Sequence, residues 1–217
     1  MIRFITFEGG DGAGKTTQIH AAENYLREHG RTCVVTREPG GTDLGKLIRR
    51  ALLEAGDGEI APATELFLYL ADRAQHVKQV LLPAIRTETI VLCDRFTDST
   101  LAYQGYGRGI ALDWLRGLND VAGEGLRPDI TLLFDCPATV GLARTARRQA
   151  QTTADRVLED RFEREELEFH ERVRNGFLDL ARAEPQRFRI VDAARSVAEV
   201  SGQIREIIDR ELLNGFC

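Results

Sequence analysis

The chain has 217 residues, 43% of them hydrophobic and 29% charged, with a formal net charge of -5. That length suits one domain, 1–217, able to bury a sizeable core, and no apolar run approaches the roughly 18 residues a membrane helix needs. An acidic balance gives no long-range pull on a nucleic-acid backbone, so neither nucleic acid nor membrane is an expected partner and any anion site must be local. The opening Met1-Ile2-Arg3-Phe4 leads straight into an apolar run, with no room for a cleavable signal peptide, so a cytoplasmic location is expected.

That first run, Ile2 to Phe7, reads as a strand. It is followed by Gly9-Gly10-Asp11-Gly12-Ala13-Gly14-Lys15-Thr16, which satisfies G-x-x-x-x-G-K-[ST] between a strand and a helix. Glycines let successive backbone N–H groups turn inward around phosphate oxygens, and the following helix adds the positive end of its dipole. Lys15 is expected to reach the outer phosphates of ATP, and the Thr16 hydroxyl to hold Mg²⁺. Gly9 through Thr17 form the expected ATP-binding run. A loop that merely turns has no use for Lys-Thr at this offset.

Farther along, Cys33–Thr36, Ile90–Cys93, Ile130–Phe134 and Phe188–Val191 are short apolar runs without strict alternation, as in strands covered on both faces. Helical stripes lie between and after them, clearest at Leu44, Leu47, Ile48, Ala51 and Leu52 and at Val197, Val200, Ile204, Ile207 and Ile208. Alternating strands and helices predict an α/β protein: a three-layer P-loop fold with a central five-stranded parallel sheet and flanking helices. Two stretches break the pattern. Gly105 to Gly109 is too glycine-rich for a helix interior, and Arg144 to Arg156 is crowded with arginine, glutamine and threonine. The four cysteines, Cys33, Cys93, Cys136 and Cys217, lack zinc spacing and read as reduced packing residues.

A P-loop leaves kinase, motor ATPase and GTPase switch open. The absence of an Asn-Lys-x-Asp run counts against a GTPase. Asp94, closing the third apolar run, can orient Mg²⁺ or its waters at the carboxyl edge of the sheet. Arg37, Arg49 and Arg95 fall at or beside the same edge, where they can converge on a second anion. A phosphate acceptor is already ionised at neutral pH, so the obstacle is repulsion: two unit charges about 4 Å apart interact by roughly 4 kcal/mol at an effective dielectric of about 20. Arginine forks offset this with fixed bidentate donors. The arginine-rich stretch then reads as a mobile lid at about 144–160 that excludes water, with Arg148 the expected catalytic arginine at the transferring group. A nucleoside kinase would place a base where this chain offers arginine; an ATP-dependent binding module would have no need of Lys15, Thr16, Asp94 and Arg95 together.

An ordered set of segments completes the picture: Phe7 through Thr16, Arg37-Glu38-Pro39-Gly40-Gly41-Thr42, Asp72-Arg73, Asp94 through Thr100, Ala102-Tyr103-Gln104-Gly105 and Asp160-Arg161-Phe162-Glu163. Over nearly its whole length the chain resembles the bacterial thymidylate kinases. The resemblance implies phosphorylation of dTMP to dTDP with ATP as co-substrate and Mg²⁺, a homodimer, and catalytic roles for Lys15, Asp94, Arg95 and Arg148. It also implies an acceptor site of Asp11, Arg37, Pro39, Arg49, Tyr69, Arg73, Arg95, Ser99, Thr100, Tyr103 and Gln104. Tyr69 would stack on thymine, Arg73 would donate to the base O4, and Thr100 and Gln104 would meet its N3 region. Tyr103 would crowd a 2′-hydroxyl and Asp11 would sit near the 3′-hydroxyl. The Glu38-Pro39 bond is expected to be cis, and Arg144 to lie along adenine opposite Asp192-Ala193-Ala194. The P-loop has no basic residue at Gly12 or Ala13, and Phe96 stands where many relatives have tyrosine.

Overall fold

A computed structural model describes residues 2–53, 60–151 and 165–213. Five parallel strands, β1 (Phe4–Glu8), β2 (Cys33–Arg37), β3 (Ile90–Asp94), β4 (Ile130–Asp135) and β5 (Phe188–Asp192), form one sheet in the order β2-β3-β1-β4-β5. Each strand coincides with one of the short apolar runs. In register Phe7 lies beside Asp94 and Leu132, and Asp94 beside Arg37, which brings the strand ends to one edge. The chain order reverses about β1, and open α/β sheets bind ligands beyond their carboxyl ends at such a point.

The helices are α1 (Lys15–Glu28), α2 (Asp43–Leu53), α3 (Pro62–His76), α4 (Leu82–Arg86), α5 (Thr97–Thr100), α6 (Leu112–Ala122), α7 (Ala138–Gln151), α8 (Leu167–Ala183) and α9 (Val197–Ile208). Side chains alternate across the sheet. Ile5, Phe7, Leu92, Leu132, Phe134 and Val191 pack with Ile19, Leu26, Val200, Ile204 and Ile208 of α1 and α9. Burial of each large aliphatic side chain contributes about 1.5–3 kcal/mol before entropy is counted. α9 starts on a capping box: the Ser196 side chain accepts from Glu199 N–H while Glu199 accepts from Ser196 N–H.

On the opposite face Phe4, Val91, Cys93 and Phe96 meet Val77 and Leu81. Thr6 and Glu8 also point that way and are fully buried. Thr6 pairs with Thr131 at 2.8 Å; Arg187 donates to Thr131 at 2.6 Å and forks onto Asp98 at 2.7 and 3.0 Å. This buried charge pair ties the start of β5 to α5 and so fixes the chain that follows Asp94.

The Gly105–Gly109 expectation is corrected. A π-helical segment continues α5 through Leu101–Gly107, running directly across Gly105. Packing explains the glycines: a Cβ on Gly105 would meet Leu112 at 2.5 Å, and one on Gly107 would meet Phe169 at 2.6 Å. In α3 and the helical turn that follows it, Leu66, Leu70 and Val77 are buried in the core and Ala74 is exposed. Cys33, Cys93 and Cys136 are buried free thiols, and Cys217 lies outside the described residues.

Candidate active site

The turn from β1 into α1 builds the phosphate cradle. Gly9, Gly12 and Gly14 have φ of 134°, 71° and 89°, conformations that favour glycine. Gly12 has a second constraint, because a Cβ there would collide with the carbonyl of Gly141 in α7, and one on Gly141 would collide with the carbonyl of Asp11. Two glycines thus let α7 touch the P-loop backbone. Lys15 opens α1 and folds back, its Nζ donating to the carbonyls of Gly9 at 2.9 Å and Gly10 at 2.8 Å. Burial and the nearby Arg95 charge pull its pKa down to about 8, against the attraction of Asp94, Asp11 and Glu8.

Beyond β3, Thr16 Oγ1 donates to Asp94 Oδ2 at 3.3 Å, and Arg37 stands 3.8 Å from the same oxygen. A hydroxyl and a carboxylate converging beside the cradle suit a hard cation that keeps waters and takes its other oxygens from phosphates. Among the described residues no group of three or more His, Cys, Asp or Glu forms an all-protein metal cage.

Arg95 has φ 71°, uncommon for a side-chain-bearing residue, and is held there by its N–H donating to Phe7 O at 3.1 Å. Its guanidinium donates to Gly9 O at 3.0 Å, Ser99 Oγ at 3.1 Å, Asp11 Oδ1 at 2.7 Å and Tyr103 Oη at 3.0 Å. Tyr103 in turn donates to Asp11 Oδ2 at 2.8 Å. Burial works to raise the Asp11 carboxyl, but Arg95, Lys15 and the Tyr103 hydroxyl together hold it below its ordinary value.

A cavity of about 400 Å³ joins these groups. The P-loop end is lined by Asp11, Gly12, Gly14, Lys15, Thr16 and Thr17. Arg37, Glu38, Pro39, Arg49, Leu53, Tyr69, Asp94, Arg95, Phe96, Ser99, Thr100, Tyr103 and Gln104 line the rest, with Arg148 reaching in from α7. Arg37, Arg49 and Arg95, separated in sequence, thus face one space. The Glu38-Pro39 bond is cis, and Arg49 donates to Pro39 O at 3.1 Å. A second cavity behind the P-loop is lined by Ala13, Thr17, Arg144, Arg148 and Ser196 among others. Arg144 donates to the carbonyls of Ala193 at 2.8 Å and Ala194 at 3.3 Å, so it touches the Ala193–Ala194 loop directly at the edge of this cavity.

Arg73 does not line the cavity. It is 2% exposed and lies behind Glu38, Phe96 and Thr100, which do. Nε donates to Glu38 at 2.8 Å, Nη1 to Thr100 at 3.0 Å and to Asn119, and Nη2 to Phe96 O at 3.0 Å. Four of its five N–H groups are thereby engaged. His76 hydrogen-bonds through Nδ1 with Glu38 at 2.9 Å and through Nε2 with Thr36 Oγ1 at 2.6 Å, completing a buried polar layer under the cavity. The expected lid is described only to Gln151, where it is the second half of α7; Arg156 and Asp160-Arg161-Phe162-Glu163 lie outside the described residues.

Three contributors escaped the sequence reading. Glu8 accepts from Phe96 N–H at 2.7 Å and Ser99 Oγ at 2.6 Å, clamping the turn that carries Arg95. Burial, with the Asp98 charge, pushes it up to about 7 despite Ser99, Arg95 and Phe96. Gly141 seats α7. Asn119 holds Arg73. A carboxylate ending a strand beside a glycine loop is a visible signal for Glu8; nothing in sequence marks the other two.

The family model described as Thymidylate kinase matches residues 7–204. The chain is 51% identical over 207 residues to a thymidylate kinase of Desulfosudis oleivorans, covering 95% of this chain and 96% of that one. It is 52% identical over 205 residues to a thymidylate kinase of Geobacter sulfurreducens, covering 94% and 95%. Among solved structures, the crystal structure of thymidylate kinase from Ehrlichia chaffeensis superposes with a TM-score of 0.75 at 32% identity, covering 95% of this chain and 98% of that one.

Proposed function

The chain belongs to the thymidylate kinase family, and from that membership we propose that it moves the γ-phosphoryl group of ATP directly onto the 5′-phosphate of dTMP. A phosphate oxygen of dTMP forms the new P–O bond while the bond between the β,γ-bridging oxygen and the γ-phosphorus breaks, releasing ADP and dTDP. The observation that carries this reading is the single cavity with P-loop residues at one end and Arg37, Arg49 and Arg95 across from them. Such a layout supports two anions end to end.

No general base is required, because the acceptor oxygen is already anionic. The protein's task is positioning and charge compensation. Lys15 exchanges the Gly9 and Gly10 carbonyls for phosphate oxygens, and the P-loop amides cradle the chain behind it. Arg37, Arg49 and Arg95 hold the acceptor phosphate, and Arg148 is the candidate to reach the transferring group. Thr16 and Asp94 are the residues that would hold Mg²⁺, which when bound offsets charge on the phosphate oxygens. Tyr69 supplies a face for the base, and the Asp11–Tyr103 pair sits where a deoxyribose would be read. Arg144 and the Ala193–Ala194 loop flank the second cavity as an adenine site.

We further propose a homodimer and a cytoplasmic location. Leu44, Leu47, Phe67 and Trp114 are 48–53% exposed on α2, α3 and α6, and α3 packs against both neighbours. No helix among the described residues is long and apolar enough to cross a membrane.

The test is ADP release in the presence of Mg²⁺ with dTMP, dUMP, dCMP, AMP or thymidine as sole acceptor. dTMP should be the preferred acceptor, with some use of dUMP, because a methyl group is worth only about 1–3 kcal/mol. Arg95→Ala should weaken dTMP use far more than ATP binding. Preference for thymidine or AMP would overturn the assignment.

A further inference from the structure

Gln104 lines the cavity, yet an amide can present either its carbonyl or its NH₂ to a ligand, and a rotation of half a turn exchanges them. Here that freedom is removed. Gln104 Nε2 donates to Glu65 Oε1 at 2.8 Å, and Glu65, in the first turn of α3, is fully buried and does not line the cavity. Arg108 stands 3.5 Å from the other oxygen, Oε2, and itself reaches Glu165 at 2.6 Å. A carboxylate facing an arginine has only acceptors, so the amide that meets it must turn its NH₂ inward. Gln104 Oε1 accepts no hydrogen bond among the described residues, and it is not one of the side-chain atoms sealed from solvent without a partner. The carbonyl is therefore the branch left open to the cavity.

We infer that Glu65 is a positioning residue that sets base specificity: by pinning the Gln104 amide it offers a fixed acceptor, and so selects a pyrimidine that carries N3–H over one with a lone pair there. Thymine and uracil meet that condition; cytosine does not. Gln104 alone cannot make this distinction, because a free amide would flip to donate to cytosine N3. A buried polar mismatch, by contrast, is rejected strongly. The inference rests on the proposed acceptor class and concerns only how its base edge is read.

Glu65→Gln keeps shape but can donate or accept, so it frees Gln104 to flip. Wild type and variant are compared on dTMP and on 5-methyl-dCMP, which retains the methyl group and changes only the pairing edge. The ratio of kcat/KM for dTMP to that for 5-methyl-dCMP should fall by about 10- to 100-fold, mainly through KM, with KM for ATP unchanged. A ratio within twofold of wild type, or an equal loss on both nucleotides, overturns the inference. If Glu65→Gln loses ATP binding or its thermal transition, the exchange Glu65→Gln with Gln104→Glu decides, since it keeps one amide donating to one carboxylate and leaves an acceptor facing the base. Retained preference for dTMP supports the inference and loss of it refutes it. Wild-type protein inactive on dTMP would instead sink the proposed function.

Discussion

Lys15 donates to two carbonyls of its own loop while burial and Arg95 hold its pKa near 8, so its charge is at stake within an accessible pH range. Because the folded pKa is lowered, deprotonation on raising pH through about 8 removes the charge that attracts ATP, and binding below complete protonation takes up a proton. Calorimetric titration in buffers of different ionisation enthalpy should show ATP affinity falling above pH 8 with net proton uptake; a flat affinity from pH 7 to 9 would contradict this. Glu8 carries the opposite consequence for stability. Its folded value is raised from 4.5 to about 7, so its stabilising contribution is complete below pH 4.5 and is lost as pH rises toward 7. The loss is on the order of 2–4 kcal/mol. Glu8→Gln keeps an acceptor for Phe96 N–H and should flatten the fall of Tm between pH 5 and 7, whereas parallel Tm curves for variant and wild type would remove this role.

At the scale of elements, the seat of α7 on the P-loop is the contact the sequence hid. Arg144 and Arg148 are legible as an arginine cluster, and Lys15 and Thr16 as a motif, but their spacing depends on Gly12 meeting Gly141. That meeting is long-range and leaves no local pattern. Gly141→Ala should drive backbone against backbone and lower kcat/KM for ATP by about tenfold or more, the scale of small displacements in a preorganised site. Gly202→Ala in α9 has open space around it and should be neutral or stabilise by up to about 1 kcal/mol. Equal, negligible effects of the two substitutions on ATP use would show that the α7 seat does not matter. The π-helical stretch teaches the same lesson in reverse. Gly105 suggests a break by propensity, but Leu112 and Phe169 leave no room for side chains at 105 and 107, and tertiary packing overrides the local cost.

For the whole molecule, the five strands were legible because each is an apolar run bounded by polar or glycine-containing stretches, and the phosphate cradle because its residue types have few other uses together. The acceptor end was readable in its arginines but not in their depth. Arg73 shares a motif with Asp72, yet only the fold reveals that it supports the cavity from behind while Arg95 faces it. The exposed apolar residues of α2, α3 and α6 belong to this scale as well. Sedimentation at micromolar concentration should give a dimer that Phe67→Glu shifts toward monomer; a monomeric wild-type chain would contradict the proposed assembly.

Direct transfer requires both nucleotides to be bound at once, with their phosphates end to end in the cavity between the P-loop and Arg37, Arg49 and Arg95. Initial velocities measured over a grid of ATP and dTMP concentrations test this most directly. Intersecting reciprocal plots, with no ADP burst in the absence of dTMP, are the predicted result; parallel plots, with ADP released before dTMP binds, would contradict it.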